Sequence, residues 1–96
     1  MKSLGFVEVQ SVAAAIDCLD IMCKAAAVEL VTWERKLGGR LVTIVVRGQV
    51  SDVTTAVEAT DSAIIKPSAK AVIANPHSET ERLVQISAAR INKPKV

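Results

Sequence analysis

Rings are scarce in this chain: Phe6 and Trp33 are its only aromatic side chains, and it has no tyrosine. Binding of single-stranded nucleic acid by base stacking needs aromatic platforms, and a large aromatic-lined ligand pocket needs the same material. Both are disfavoured. Cysteine is limited to Cys18 and Cys23. On a helix that spacing turns about 500°, so the two thiols face different ways. They form neither a disulfide framework nor a zinc-ligand pattern, and buried, reduced thiols are expected. A charge excess is missing too. Twelve Lys+Arg stand against 10 Asp+Glu, a net +2, too balanced to draw nucleic acid or an anionic membrane by bulk charge. Apolar runs fall far short of the roughly 20 residues of a membrane span. Met1-Lys2-Ser3 leads straight into a strand-like segment without a signal-peptide pattern. A reducing cytoplasm is the expected compartment.

What is present is globular: 50% of the 96 residues are hydrophobic and 23% are charged. That length suits about one domain. A domain this small buries only about 60–65% of its unfolded surface, and a core rich in Ala and Val has small side chains. Burial against copies of itself is therefore expected before any motif is considered.

Leu4–Val9 has the apolar, β-branched content of a strand. Ser11 is a suitable N-cap for a helix from Val12 to Ala26, in which Val12, Ala15, Ile16, Leu19, Met22 and Cys23 make an apolar stripe. Val28–Arg35 reads as a second strand. Gly38-Gly39 marks a turn, and Leu41–Arg47 is the most β-branched stretch, so the two strands should pair as a hairpin. Ser51 or Asp52 can cap a helix from Val53 to Ile65, which Lys66-Pro67-Ser68 stops. Ala69–Ala74 is a short fourth strand. Asn75-Pro76-His77 is a sharp boundary, and Ser78 can cap a terminal helix lined by Leu83, Val84, Ile86 and Ile91. Asn92–Val96 reads as a loose tail. The expected fold is α+β: a ferredoxin-like split β-α-β-β-α-β with helices on one face of a four-stranded antiparallel sheet, plus a C-terminal helix. That architecture implies no function by itself.

Several separated stretches, in order, narrow the reading. They are Leu4-Gly5-Phe6-Val7-Glu8, Ala13-Ala14-Ala15-Ile16-Asp17, Asp20-Ile21-Met22-Cys23-Lys24-Ala25-Ala26, Leu41-Val42-Thr43-Ile44-Val45-Val46-Arg47-Gly48 and Asn75-Pro76-His77. Across residues 3–78 the chain resembles the bacterial microcompartment shell proteins of the hexamer-forming, single-domain kind. The resemblance implies a shell domain over residues 1–78, followed by a helix and tail over residues 79–96. It also implies a homo-hexamer with a central pore, tiling beside other shell proteins and enclosing enzymes in the cytoplasm. The role would be structural, with no cofactor and no catalysis.

The resemblance further implies site residues. Lys24 falls where the family has an edge lysine, whose three donors can reach carbonyls of an adjoining hexamer. Asn75, Pro76 and His77 fall at the same edge. The family usually has arginine before Pro-His, and Asn75 lacks that five-donor fork, so edge contacts should be weaker here and tiling more dependent on mixing with other shell proteins. Leu37, Gly38, Gly39 and Arg40 fall at the pore, in a loop one residue longer than the family pattern. The glycines let six backbones approach an axis, and ringed N–H groups attract anions. Mutual repulsion favours Arg40 splayed toward one face, as a positive vestibule for small polar or anionic metabolites.

Two other classes compete. A small ferredoxin-like regulatory or metabolite-binding module would show the same element order. An enzyme is disfavoured, because Asp17, Asp20, Glu29 and Glu34 supply carboxylates without bringing nucleophile, base and orienter together. Gly38-Gly39 lacks the Lys-Ser/Thr of a phosphate-binding loop.

Overall fold

A computed structural model describes residues 2–35 and 41–91. Its elements are β1 (Ser3–Val9), α1 (Val12–Ala25), β2 (Glu29–Arg35), β3 (Val42–Gly48), α2 (Val50–Ala59), a 3₁₀ turn (Thr60–Ser62), β4 (Ala69–Ile73) and α3 (Ser78–Ile91). The strands form one antiparallel sheet in the order β2-β3-β1-β4. This is the α+β arrangement expected from the element order. Among the described residues no helix is long and apolar enough to cross a membrane.

Local chemistry sets the helix ends. Ser11 Oγ accepts a hydrogen bond from the Ala14 N–H at 3.1 Å and starts α1. α2 departs from expectation: it begins at Val50, so Ser51 and Asp52 lie inside its first turn, and Gln49 flanks it without a side-chain cap. It also stops at Ala59 rather than Ile65. Thr60 Oγ1 donates to the Val57 carbonyl at 2.6 Å and Ser62 Oγ to the Ala59 carbonyl at 2.8 Å. Such hydroxyls compete with the helical ladder, and the chain tightens into the 3₁₀ turn. Ile64 and Ile65 are then left in an exposed connection.

The main core lies between one sheet face and α1 and α2, with Val7, Val9, Cys18, Met22, Ile44, Val46 and Val53 buried. α2 sits close to β1 at Gly5. A Cβ built there would lie 2.8 Å from both Val53 Cγ1 and Val57 Cγ2, so the absent side chain is what allows this approach.

Three further expectations need correction. Helices do not occupy one face only, because α3 covers the opposite face. There Val84 packs with Leu4 and Val45 in a second cluster flanked by Phe6 and Val31. The α1 stripe is also offset. The buried line is Ala14, Ala15, Cys18 and Met22, while Ile16 is 64% exposed. Cys18 is buried but Cys23 is exposed, so only one of the two thiols meets the buried expectation. Desolvation, then the nearby Asp17 charge, pushes the Cys18 thiol up from its ordinary value.

Candidate functional site

Cross-strand register places the chemistry. One row runs Glu29–Arg47–Leu4–Ile73, and another, at the far end, runs Arg35–Val42–Val9. Along β1 and β3 these rows are five residues apart, and at about 3.3 Å per residue that is roughly 17 Å.

The β2–β3 connection begins after Arg35 in the sequence. The expected pore residues Leu37, Gly38, Gly39 and Arg40 lie outside the described residues. At the base of that connection the Arg35 guanidinium stands 5.8 Å from the centre of the Trp33 ring, a cation–π contact.

The expected edge residues collect at the other end. α1 runs antiparallel to β1, so Lys24 in its last turn returns to the end where β4 delivers Asn75, Pro76 and His77. Lys24 pairs with Asp20 at 2.8 Å, one helical turn earlier, and its side chain is exposed. The Asp20 hydrogen bond and then its charge hold the ammonium above the usual lysine range. Asn75 has φ 51°, a left-handed conformation that asparagine tolerates better than most residues. It turns the chain from β4 toward α3.

His77 has a structural task that sequence reasoning gives to Ser78. Its Nδ1 accepts from the Glu79 N–H at 3.0 Å, and its carbonyl accepts from the Glu81 N–H at 3.0 Å. His77 therefore caps α3, and Ser78 is the first helical residue. Histidine is not among the preferred N-cap types, so composition alone does not announce it.

Sequence reasoning also misses the polar fastening of α3. Glu81 accepts two bonds from Arg47, at 2.7 and 2.6 Å, a bidentate pair between the first turn of α3 and the end of β3. Further along, Thr32 and Ser87 hydroxyls bond at 2.8 Å, Ser87 donates to Glu34, and Arg90 reaches the same carboxylate at 2.8 Å. Ser87, Val84 and Ala88 are buried, whereas Leu83 and Ile86, expected on the packed side, remain largely exposed. The signal available in the sequence is Arg47 itself, a lone charge closing a β-branched strand.

The Arg47 pair sets a pH dependence. Its hydrogen bonds, and then its charge, hold Glu81 below the usual carboxylate range. A folded-state value below the unfolded one means the stabilisation is complete above the unfolded value. It is lost as pH falls through the lower, folded value. The α3 amides should therefore lose hydrogen-exchange protection as pH drops below about 4.3, the ordinary glutamate value, while β1 and β3 stay protected. Glu81→Gln should give the same loosening at neutral pH, a cost of about 1.5 kcal/mol for charge-assisted bonds at a part-exposed position.

The outer side of α1 and the open side of β2 border an apolar groove of about 150 Å³, lined by Ala15, Ile16, Leu19, Leu30, Trp33 and Ile44. A second groove, about 330 Å³, runs between α3 and the sheet past Phe6, Glu34, Leu83 and Arg90. The carboxylates stay apart. Asp20 serves Lys24, and Glu34 serves Ser87 and Arg90. Among the described residues no three His, Cys, Asp or Glu side chains gather as metal ligands.

Comparison with known proteins adds a consistent picture. The family model described as "BMC domain" matches residues 3–76. The bacterial microcompartment shell protein PduA of Citrobacter freundii is 40% identical over 86 residues, covering 86% of this chain and 91% of its own length. The carboxysome shell protein CsoS1C of Hydrogenovibrio crunogenus is 38% identical over 88 residues, covering 88% and 85%. Among solved structures, a microcompartment protein from Desulfitobacterium hafniense superposes with a TM-score of 0.75 at 25% identity. It matches all of this chain, which spans 51% of that longer one.

Proposed function

Because the chain belongs to the BMC domain family, whose relatives named above are shell proteins, we propose that it is a structural subunit of a bacterial microcompartment shell, assembling as a cyclic hexamer with a central pore. One observation supports this reading: Arg35 and Val42, which precede and follow the glycine-rich tract in sequence, lie at one end of the sheet, and Lys24 with Asn75–His77 lies toward the other, where the end rows are roughly 17 Å apart by strand rise. A subunit with that layout can set the tract at a symmetry axis and its opposite end at a rim.

In the ring, Gly38 and Gly39 let six backbones crowd the axis. Leu37 lines the opening, and Arg40 forms a positive vestibule that favours small polar or anionic metabolites. At the rim, Lys24 must leave Asp20 to reach carbonyls of an adjoining hexamer. Both side chains are exposed, so the exchange is nearly neutral. Asn75, Pro76 and His77 complete the rim, and Asn75 gives weaker edge contacts than arginine would. Facets then form with other shell proteins, around enzymes held in the cytoplasm. The subunit performs no catalysis and needs no cofactor.

Mass measurement in solution should give six chains, and electron microscopy at high concentration should give sheets when related shell proteins are added. A monomer or dimer would favour a regulatory, ferredoxin-like module instead. In reconstituted hexamers, Arg40→Glu should reverse the sign of the vestibule and lower anion passage by about tenfold. Unchanged anion/cation selectivity in single-channel conductance would overturn the pore assignment.

A further inference from the structure

The sheet face beneath α3 is only partly covered. α3 lies over β2, where Ser87 meets Thr32 and Arg90 reaches Glu34 at 2.8 Å. Past it, toward β4, Phe6, Glu8, Thr43, Ala69 and Ala71 border a shallow groove of about 190 Å³. It shares Phe6 and Thr43 with the groove along α3. Register puts Glu34, Thr43, Glu8 and Ala69 in one cross-strand row. That row is on the α3 side, because Glu34 bonds α3 and Glu8 alternates with Val7 and Val9 of the main core.

The two carboxylates of the row are partnered unequally. Glu34 accepts from Ser87 and Arg90. Glu8 is half-buried, and none of the ion pairs among the described residues uses it. Lys70, also at the groove, is paired with Asp61 at 2.6 Å. A carboxylate partly removed from water gains from a cation brought to it, and the sequence supplies one nearby. α3 ends at Ile91, and the chain continues Asn92-Lys93-Pro94-Lys95-Val96, which is basic and holds no acid. Pro94 biases Lys93 toward extended backbone. Glu34 and Glu8 are two strand spacings apart, about 10 Å. Three extended residues from Arg90 to Lys93 span about 10 Å, before the lysine side chain adds its own reach.

We infer that residues 92–96 form a strap across this strip of the sheet, with the Lys93 ammonium on the Glu8 carboxylate and the Pro94 ring over Phe6 and Ala71. The strap extends the polar fastening of α3: Glu81 ties its first turn to Arg47, Arg90 ties its last turn to Glu34, and Lys93 ties the segment beyond it to Glu8. An ion pair at a part-exposed site is weak alone, and covering Phe6 adds apolar burial to it. The contact lies within one chain and does not depend on assembly. A peptide or small molecule entering the groove has to displace the strap, so the strap sets how open this side of the subunit is.

The test uses the full chain and a zero-length carbodiimide, which joins a carboxylate to an ammonium in direct contact, read by peptide mass spectrometry. The reaction is run until the Asp20–Lys24 and Asp61–Lys70 pairs are joined. A Glu8–Lys93 linkage is the expected result. Its absence while those two pairs are joined overturns the strap. Isotopically light and heavy chains, mixed in urea and refolded, tell one chain from two: a Glu8–Lys93 peptide joining light to heavy overturns the contact within one chain and gives the groove to a second copy. Nile red, a neutral dye for apolar surface, supplies the second readout. Glu8→Lys and Lys93→Glu should each raise its fluorescence about twofold by uncovering the strip, and the two together should restore the original level. Equal fluorescence in all four proteins, or a rise that the double variant does not reverse, overturns the Glu8–Lys93 pairing.

Discussion

Gly5→Ala should lower stability by about 2 kcal/mol, an overpacking cost, and the thermal midpoint by roughly 10 °C for a domain of this size. The added carbon would lie 2.8 Å from Val53 Cγ1, 2.8 Å from Val57 Cγ2 and 3.1 Å from Val46 Cγ2. All three neighbours are buried, β-branched side chains, stiff at χ1. None can swing aside, so α2 itself must move off β1. Thermal unfolding at fixed protein concentration measures the effect, since assembly shifts the midpoint by mass action. The conditional partner is Gly5→Ala with Val57→Ala, which removes one of the closest neighbours and should recover part of the loss. Failure of that rescue would place the strain elsewhere.

Leu4→Ala should cost about 3 kcal/mol, combining lost transfer energy with the cavity left behind. Leu4 is fully buried beneath α3, in contact with the cluster of Val45 and Val84. This second core is small, so no spare side chain is placed to fill the gap. Because the whole molecule holds only about 5–15 kcal/mol, the variant sits near the edge of folding. Urea denaturation with an unchanged slope is the expected measurement. A cost below about 1 kcal/mol would mean that α3 resettles onto the sheet after the truncation.

Much of the scaffold is legible because local signals agree with one another. Ser11 announces α1, the Gly-Gly tract announces the β2–β3 hairpin, and the β-branched run Leu41–Arg47 announces a strand. The two ends of the sheet follow from those elements, so topology alone puts Lys24 toward the same end as Asn75–His77. Other features depend on long-range partners that no local window contains. Thr60 reads as one more helical residue, yet its hydroxyl helps end α2. Gly5 reads as an ordinary strand residue until α2 is laid across it. The stripe on α1 misleads by including Ile16 and Cys23, because periodicity reports how much apolar surface a helix has and not which part its own chain covers. The position of α3 is hidden for a related reason: beside the small Leu4–Val45–Val84 cluster its fastening is polar, and Glu34, Glu81, Ser87 and Arg90 look like ordinary solvent-facing residues in the sequence.

The way α3 is attached has a further consequence. The sheet with α1 and α2 is a finished frame, and α3 is bolted across its other side by Arg47–Glu81 and the Glu34 cluster, beyond the stretch that the family model matches. Substitutions at its exposed residues Leu83 and Ile86 should therefore alter one side of the subunit while the sheet and the core beneath α1 and α2 stay as they are.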